Sequence, residues 1–231
     1  MTNAPARRDL ETQVVALGLI AMSVLSIAVA LNHPEPATRA DATAVALMNI
    51  AGERGAIFGV HATLIALMLF TSLGVAHINR RVLGGGSLTT SATGLLAVSM
   101  LSMSLAAVVN GLAVPMWAAA YPVPLTPESD AAARAILLFA ASLNRVFADT
   151  AVLLSSLALG GFGLGLVVRP GVLRWVGLLG LVIGAGVLAG LLGGVFVLDY
   201  HGFNLTNAAF YLWVASLSAA ALAQRRNDAA A

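Results

Sequence analysis

The side chains in this sequence that could do chemistry gather toward one end of its long apolar segments. His33, His61 and His201 fall on that side, together with carboxylates such as Asp149. Imidazole and carboxylate groups bind zinc, copper or iron, so His61, Asp149 and His201 form a candidate metal set. His61 and His201 could also act as axial haem ligands. No HxxxH or HExxH spacing supports either site, and we assign no cofactor.

A wider set of polar residues predicts an outward-facing pocket at the rim of a helix bundle. The candidate ligand-binding residues are Glu53, Arg54, His61, Asn110, Asn144, Arg145, Asp149 and Asp199. Arg145 and Asp149 are four residues apart, so they share a helix face and can form an ion pair. At 1.5 Å per residue, Asp149 lies about 30 Å from Arg169, near the outer boundary of a bilayer. The simpler alternative is that helix ends at a wet interface carry polar groups without a ligand.

Motifs for other chemistry are missing from the sequence. There is no cysteine, and neither a G-x-S-x-G nor a phosphate-binding glycine loop occurs. Ser99, Ser102 and Ser104 fit helix packing better than nucleophilic catalysis. His77, beside Arg80, reads as an interfacial residue. An enzyme is therefore not favoured.

The composition requires lipid as the main solvent. The chain has 231 residues, of which 59% are hydrophobic and 10% charged, with a mean hydropathy of +0.92. Soluble domains carry about 25% charged residues. The net charge is only +2 and the arginines are dispersed, which excludes a nucleic-acid-binding surface.

Six apolar runs are long enough to cross a bilayer core of about 30 Å. We therefore predict an all-α, polytopic membrane helical bundle that forms a single transmembrane domain over residues 1–231. The predicted spans are about Val14–Leu31, Ala56–Ile78, Leu88–Val114, Leu143–Val168, Val172–Leu198 and Leu205–Ala223.

The arginines predict the orientation of these spans. With six crossings, four arginine pairs fall on one side: Arg7 and Arg8, Arg80 and Arg81, Arg169 and Arg174, and Arg225 and Arg226. The positive-inside rule then places both termini in the cytoplasm of a bacterium, with the protein in the inner membrane. An alternative is that the first span is a signal peptide cleaved after Ala28-Val29-Ala30, which leaves five spans.

Two outer connections are predicted to be helical, over about 37–54 and 127–142. The first helix should continue or kink into the second span near Gly52 or Gly55. In the second, Thr126 followed by Pro127, Glu128 and Asp130 is typical of a helix N-cap with acids at the positive helix end.

Glycines repeat every four residues in the fifth span and at the end of the fourth. Examples are Gly161 and Gly165, Gly180 and Gly184, and the series Gly186, Gly190 and Gly194. Small residues at this spacing let helices approach closely in lipid. The predicted partner is thus the lipid bilayer, and the glycine faces could also join a homo- or hetero-oligomer.

The stretch from Asn144-Arg145-Val146-Phe147 to Arg174-Trp175-Val176-Gly177-Leu178-Leu179-Gly180 carries a resemblance. It is similar to a pattern in uncharacterised six-span bacterial inner-membrane proteins, in which Arg-Trp-x-Gly-x-x-Gly opens a glycine-rich helix. The resemblance implies the span assignment and no activity.

Three functions remain open from the sequence. The protein could bind a small molecule or lipid at its outer rim, or it could be a membrane-embedded metal or haem redox protein. It could also be an accessory subunit of a larger membrane complex.

Overall fold

The computed structural model describes residues 4–31, 42–195 and 200–230, with side chains over 10–31, 42–195 and 202–224. Its elements are α1 (Ala4–Leu31), α2 (Thr43–Gly52), α3 (Arg54–Arg81), α4 (Ser87–Val108), a π-helix (Val109–Ala113), α5 (Val114–Ala120), α6 (Pro127–Val167), α7 (Val172–Leu192) and α8 (Tyr200–Ala230). No β-strand occurs in the described ranges. Six helical segments are long and apolar enough to cross a membrane, which confirms the predicted fold class. Asp199, the last residues of the predicted fifth span and residues 37–41 of the first outer connection lie outside the described residues.

The spanning helices form a ring. Each contacts the next along the chain, in the order α1, α3, α4, α6, α7 and α8, and α8 closes the ring on α1. Large apolar side chains such as Leu73, Leu164 and Val182 are exposed on the outside of this ring. A protein in water rarely exposes so much apolar surface, whereas lipid is the matching solvent for it.

Two aromatic side chains occupy the centre of the α6–α7–α8 side. Phe162 of α6 and Trp213 of α8 are fully buried, with ring centroids 5.2 Å apart. The indole N–H of Trp213 donates a hydrogen bond of 3.1 Å to the carbonyl of Val176 in α7. A buried indole N–H without a partner would be destabilising, so this bond fixes the rotation of α8 against α7.

Glycines allow α6 and α7 to touch along their backbones. A methyl group at Gly184 would lie 2.6 Å from the carbonyl oxygen of Ser156, and one at Gly177 would lie 2.7 Å from the amide nitrogen of Val167. Gly186 instead faces open space. Gly194, which the sequence places in the same series, lies beyond the end of α7 in a turn with φ of 65°.

The turns after α3 and α6 meet at one end of the bundle. The guanidinium of Arg169 donates a hydrogen bond of 2.5 Å to the carbonyl of Leu83, a fully buried residue in the α3–α4 turn. Gly84 and Gly85 follow with φ of 72° and 63°, the left-handed region that glycine adopts without strain. Arg80, Arg81, Arg169 and Arg174 therefore share one end, which we call the arginine-rich end.

At the other end, helices extend past any bilayer core. Helix α6 has 41 residues, which at 1.5 Å each is about 61 Å, twice the hydrocarbon thickness. A small apolar cluster joins its first turns to α2 and α5, through Leu47, Ile50, Ala118 and Ala133. The chain bends at Glu53, where α2 ends and α3 begins, at the point at which the sequence predicts a kink.

The predicted N-cap of α6 is confirmed. The Thr126 hydroxyl accepts a hydrogen bond of 3.3 Å from the Ser129 amide, and the Ser129 hydroxyl accepts one of 2.8 Å from the Thr126 amide. The pKa of Glu128, which is fully exposed, is lowered by hydrogen bonds from its own backbone N–H and then from Thr126. Both interactions favour a carboxylate at the positive end of the helix.

A pair of alanine substitutions tests the glycine contact. We expect Gly184→Ala to destabilise the protein by about 1–3 kcal/mol, because the backbone of Ser156 cannot yield to a methyl group. Gly186→Ala should be neutral or stabilising by up to about 1 kcal/mol, because alanine lowers the backbone entropy of the unfolded chain and its methyl group meets no neighbour in the folded one. The measurement is thermal or denaturant unfolding of the detergent-solubilised protein. Equal destabilisation by both changes would contradict the α6–α7 contact.

Candidate functional site

His61 is the buried ionisable side chain among the predicted site residues that the structure describes. It lies on α3 with only 5% of its surface exposed. Its Nδ1 is 2.8 Å from the carbonyl oxygen of Ile57, one helical turn earlier. A carbonyl can only accept, so Nδ1 donates and carries the proton. In the neutral ring, Nε2 is then the basic nitrogen, and the bond to Ile57 holds the ring in one orientation.

The imidazole of His61 rests on the π-helix at Gly111. A methyl group at Gly111 would overlap Cγ and Cβ of His61, so only glycine permits this contact. The π-helix interrupts an otherwise continuous helix from Ser87 to Ala120. Single π turns inside α-helices widen the helix by one residue and occur frequently at functional sites. Here the extra residue brings the backbone of the π-helix against a histidine.

Buried hydroxyls link α4 to α6 on the side of the His61–Gly111 contact that faces the arginine-rich end. Ser99 donates to the carbonyl of Ala151 at 2.7 Å, and Ser102 donates to that of Phe147 at 2.8 Å. Interhelical bonds of this kind contribute about 0.6–1.7 kcal/mol in a membrane protein. Their function is therefore to fix the register of the two helices, in agreement with the packing role predicted from the sequence.

Two half-buried asparagines lie in the segments that meet around the π-helix, and we call His61, Asn110 and Asn144 together the layer around His61. Asn110 is half-buried within the π-helix, and Asn144 is half-buried on α6. The π-helix contacts both α3 and α6. Counted outward from the bond between Ser102 and Phe147, Asn110 is eight residues along α4 and Asn144 is three residues along the antiparallel α6, so their levels differ by about 7–8 Å. His61, Asn110 and Asn144 thus lie on three segments that meet around the π-helix.

The remaining predicted residues lie at the surface. Glu53 and Arg54 are exposed at the bend between α2 and α3. Arg145 and Asp149 form the predicted ion pair, with 3.6 Å between Nε and Oδ2 and side chains 67% and 46% exposed. An exposed pair of this kind contributes about 0–1 kcal/mol. These four residues border the layer around His61 rather than line a buried site.

The metal interpretation is not supported by a ligand cluster in the described part of the chain. No group of three histidine, aspartate or glutamate side chains gathers there at a distance suited to a metal ion. Asp199 and the side chain of His201 lie outside the described residues. The set of His61, Asp149 and His201, and the haem pair His61 and His201, therefore stay predictions.

Sequence reasoning missed a buried hydroxyl cluster between α1, α3 and α8. Ser26, Thr71 and Tyr211 are each at least 95% buried, and the two hydroxyls lie beside the phenol of Tyr211. Neither Ser26 nor Thr71 meets hydrogen-bonding geometry with any described residue. Single hydroxyls in apolar runs give no pattern that could have predicted this cluster.

Comparisons with protein-family models, with curated proteins and with solved structures give no match.

The contact between His61 and Gly111 gives a direct test of the layer. We expect Gly111→Ala to destabilise the protein by about 1–3 kcal/mol, because the methyl group displaces the imidazole. Gly59→Ala is the matched control, since Gly59 lies on α3 close to His61 but faces open space. Thermal unfolding in detergent is the measurement. If Gly111→Ala proves as harmless as Gly59→Ala, His61 does not rest on the π-helix.

Proposed function

We propose that this chain is a non-enzymatic multi-pass membrane protein that binds a small amphiphilic molecule or lipid at its outer end. The site is formed by His61, Asn110 and Asn144 around the π-helix. Glu53, Arg54, Arg145 and Asp149 border it, and Asp199 is assigned to it from the sequence alone.

The buried imidazole of His61 carries this proposal. Burying a polar ring in a membrane protein is unfavourable, and intramembrane ionisable residues are functional candidates for that reason. The Nδ1–H group donates to the carbonyl of Ile57, which fixes the orientation of the buried ring. Gly111 lies between Ala107, which belongs to the main apolar core, and Val114, which packs against the outer cluster of α2, α5 and α6. A ligand at this level would have apolar surface on both sides of its polar group.

The orientation and cellular location are part of the same proposal. The arginine-rich end fits the cytoplasmic face by the positive-inside rule, and the hydrogen bond from Arg169 to Leu83 is in keeping with this arrangement. The six-span pattern and the resemblance to uncharacterised bacterial proteins favour the bacterial inner membrane.

Reporter fusions test this orientation. We expect a fusion after Gly85 to be active with a cytoplasmic reporter, and a fusion after Pro122 to be active with a periplasmic one. The reason is the asymmetry of arginine between the two faces. The measurement is alkaline phosphatase and green fluorescent protein activity of paired fusions. Periplasmic reporter activity at Gly85 would show the opposite orientation, and the site around His61 would then lie at the cytoplasmic end of the bundle.

Loss of ligand-dependent stabilisation in a His61 variant tests the binding function. Fatty acids, lysophospholipids and quinone analogues are screened for an increase in the melting temperature of the purified protein. A ligand at about 100 times its Kd stabilises by about 2.7 kcal/mol. We expect His61→Ala to abolish this stabilisation and Thr63→Ala to retain it, because Thr63 is an exposed polar residue on the same helix.

Three results would contradict the proposal. One is that no compound stabilises the wild-type protein, and another is that folded His61→Ala responds to the same compound as strongly. The third is stoichiometric zinc, copper or iron in the purified protein, lost in His61→Ala, which would favour the metal or redox alternative. Co-purification of a stoichiometric second protein would favour the accessory-subunit alternative.

A further inference from the structure

A polar cleft opens between α1 and α3 at the arginine-rich end. It has a volume of about 330 Å³ and is lined by Glu11 of α1 and by His77, Arg80 and Arg81 of α3. This volume lies at the lower end of the range for small-molecule sites. Among the described side chains that line the cleft, two guanidinium groups face one carboxylate, so their net charge is positive. The cleft lies at the opposite end of α3 from His61.

A partly buried hydrogen bond forms the inner wall of this cleft. Thr12 is fully buried, and its hydroxyl lies 3.2 Å from Nε2 of His77. Three residues before His77, on the side away from the arginine-rich end, Gly74 lets α1 approach α3 closely, since a methyl group there would lie 2.7 Å from Cδ2 of Leu19. The two helices that carry the lining side chains are therefore held against each other at this end of the bundle.

Apolar side chains continue from the cleft along both helices. On α3, Leu73 and Phe70 precede His77 by four and seven residues, so they share its face, and both are more than half exposed. On α1, Val14 and Leu17 follow Glu11 and are also more than half exposed. A molecule with its polar group in the cleft would find apolar surface running away from it toward the middle of the bilayer.

Arginine at this end has two simpler explanations. It sets the orientation of the spans, and it complements the negative end of the α3 dipole. Either explanation would be satisfied by arginine on any exposed face. Neither explains why Arg80 and Arg81 border a cleft with a fixed histidine and a carboxylate, and with apolar tracks on both helices.

We propose that this cleft binds a phosphate group, with Arg80 and Arg81 on the phosphate oxygens and Glu11 accepting hydrogen bonds from the donor groups next to the phosphate. Arginine suits phosphate because its planar fork presents paired donors, and basic pockets between spanning helices recognise lipid head groups. The phosphate could belong to a glycerophospholipid or to a soluble phosphorylated molecule. The apolar tracks favour the lipid. This inference does not depend on the function proposed for His61.

The chemistry of Glu11 predicts which lipid head groups the cleft prefers. Phosphatidylethanolamine and phosphatidylglycerol carry N–H or O–H donors close to the phosphate, whereas the trimethylammonium group of phosphatidylcholine has none. We therefore expect the first two lipids to bind more tightly than phosphatidylcholine with the same acyl chains. Glu11→Gln should reduce this preference, because a neutral amide is a weaker acceptor than a carboxylate.

The experiment is a titration of the delipidated, detergent-solubilised full-length protein with each of these lipids, followed by native mass spectrometry. We expect the Arg80→Gln, Arg81→Gln double variant to bind phosphatidylethanolamine and phosphatidylglycerol about tenfold or more weakly, as for the loss of charge-assisted hydrogen bonds. Arg174→Gln is the matched control, because Arg174 is exposed at the same end but does not line the cleft. A parallel titration with sn-glycerol 3-phosphate tests the soluble source. Because Arg80 and Arg81 are exposed, the double variant should elute as a folded protein in size-exclusion chromatography.

The outcomes separate clearly. Tight binding of either lipid that depends on Arg80 and Arg81 but not on Arg174 supports the lipid source. Binding of sn-glycerol 3-phosphate with the same dependence, and no lipid preference, supports the soluble source. Equal weakening by Arg174→Gln and the double variant would overturn the proposal, because bulk charge alone would then explain binding. So would unchanged binding in the double variant, or no binding of either kind of ligand. A wild-type protein without preference among the three lipids would overturn the function of Glu11.

Discussion

Lipid around the bundle removes the hydrophobic effect as the force that joins its helices, and the rest of the structure depends on this constraint. Leu73 on α3 and Val182 on α7 face outward because lipid is as apolar as they are. The helices must then associate through close contact and internal hydrogen bonds. Gly184 against Ser156, Trp213 with Val176, and Ser99 with Ala151 are the three forms that this association takes. Polar atoms inside the bundle are therefore part of what holds it together.

Because polar atoms hold the bundle, polarity alone does not identify a site. Ser99 and Ser102 are buried like His61, yet their hydroxyls form hydrogen bonds that link α4 to α6. His61 differs because its ring is fixed by its own helix and rests on an irregular backbone segment. The cleft at Glu11 and Arg80 differs in another way, because its charges border open space beside exposed apolar helix faces. In each case a polar or charged side chain lies beside a surface that the ordinary helix packing does not provide: the π-helix for His61, and the open cleft for Glu11 and Arg80.

Much of the fold follows from local sequence rules. Hydropathy predicts the six spanning segments, and the Thr126 and Pro127 pattern predicts the start of α6. The ion pair of Arg145 and Asp149 follows from spacing on a helix. The π-helix could not be predicted, because residues 109–113 resemble their neighbours and the irregularity becomes evident only where α3 packs against it. Spacing also cannot tell an inward glycine from an outward one, since Gly184 packs against Ser156 whereas Gly186 faces open space and Gly194 lies in a turn. The cleft at His77 could not be predicted either, because Thr12 and His77 are 65 residues apart in the sequence and no local pattern links them.

Helix α6 runs without interruption from Pro127, outside any bilayer core, to Val167 beside the Arg169 hydrogen bond at the arginine-rich end. At the usual rise per residue, this one continuous helix is about 61 Å long. A tilt of about 10° displaces one end by about 10 Å relative to the other at this length. The small cluster of α2, α5 and α6 at one end and the α3–α4 turn at the other are thus connected by one continuous helix. Movement of one is transmitted to the other without passing through any loop.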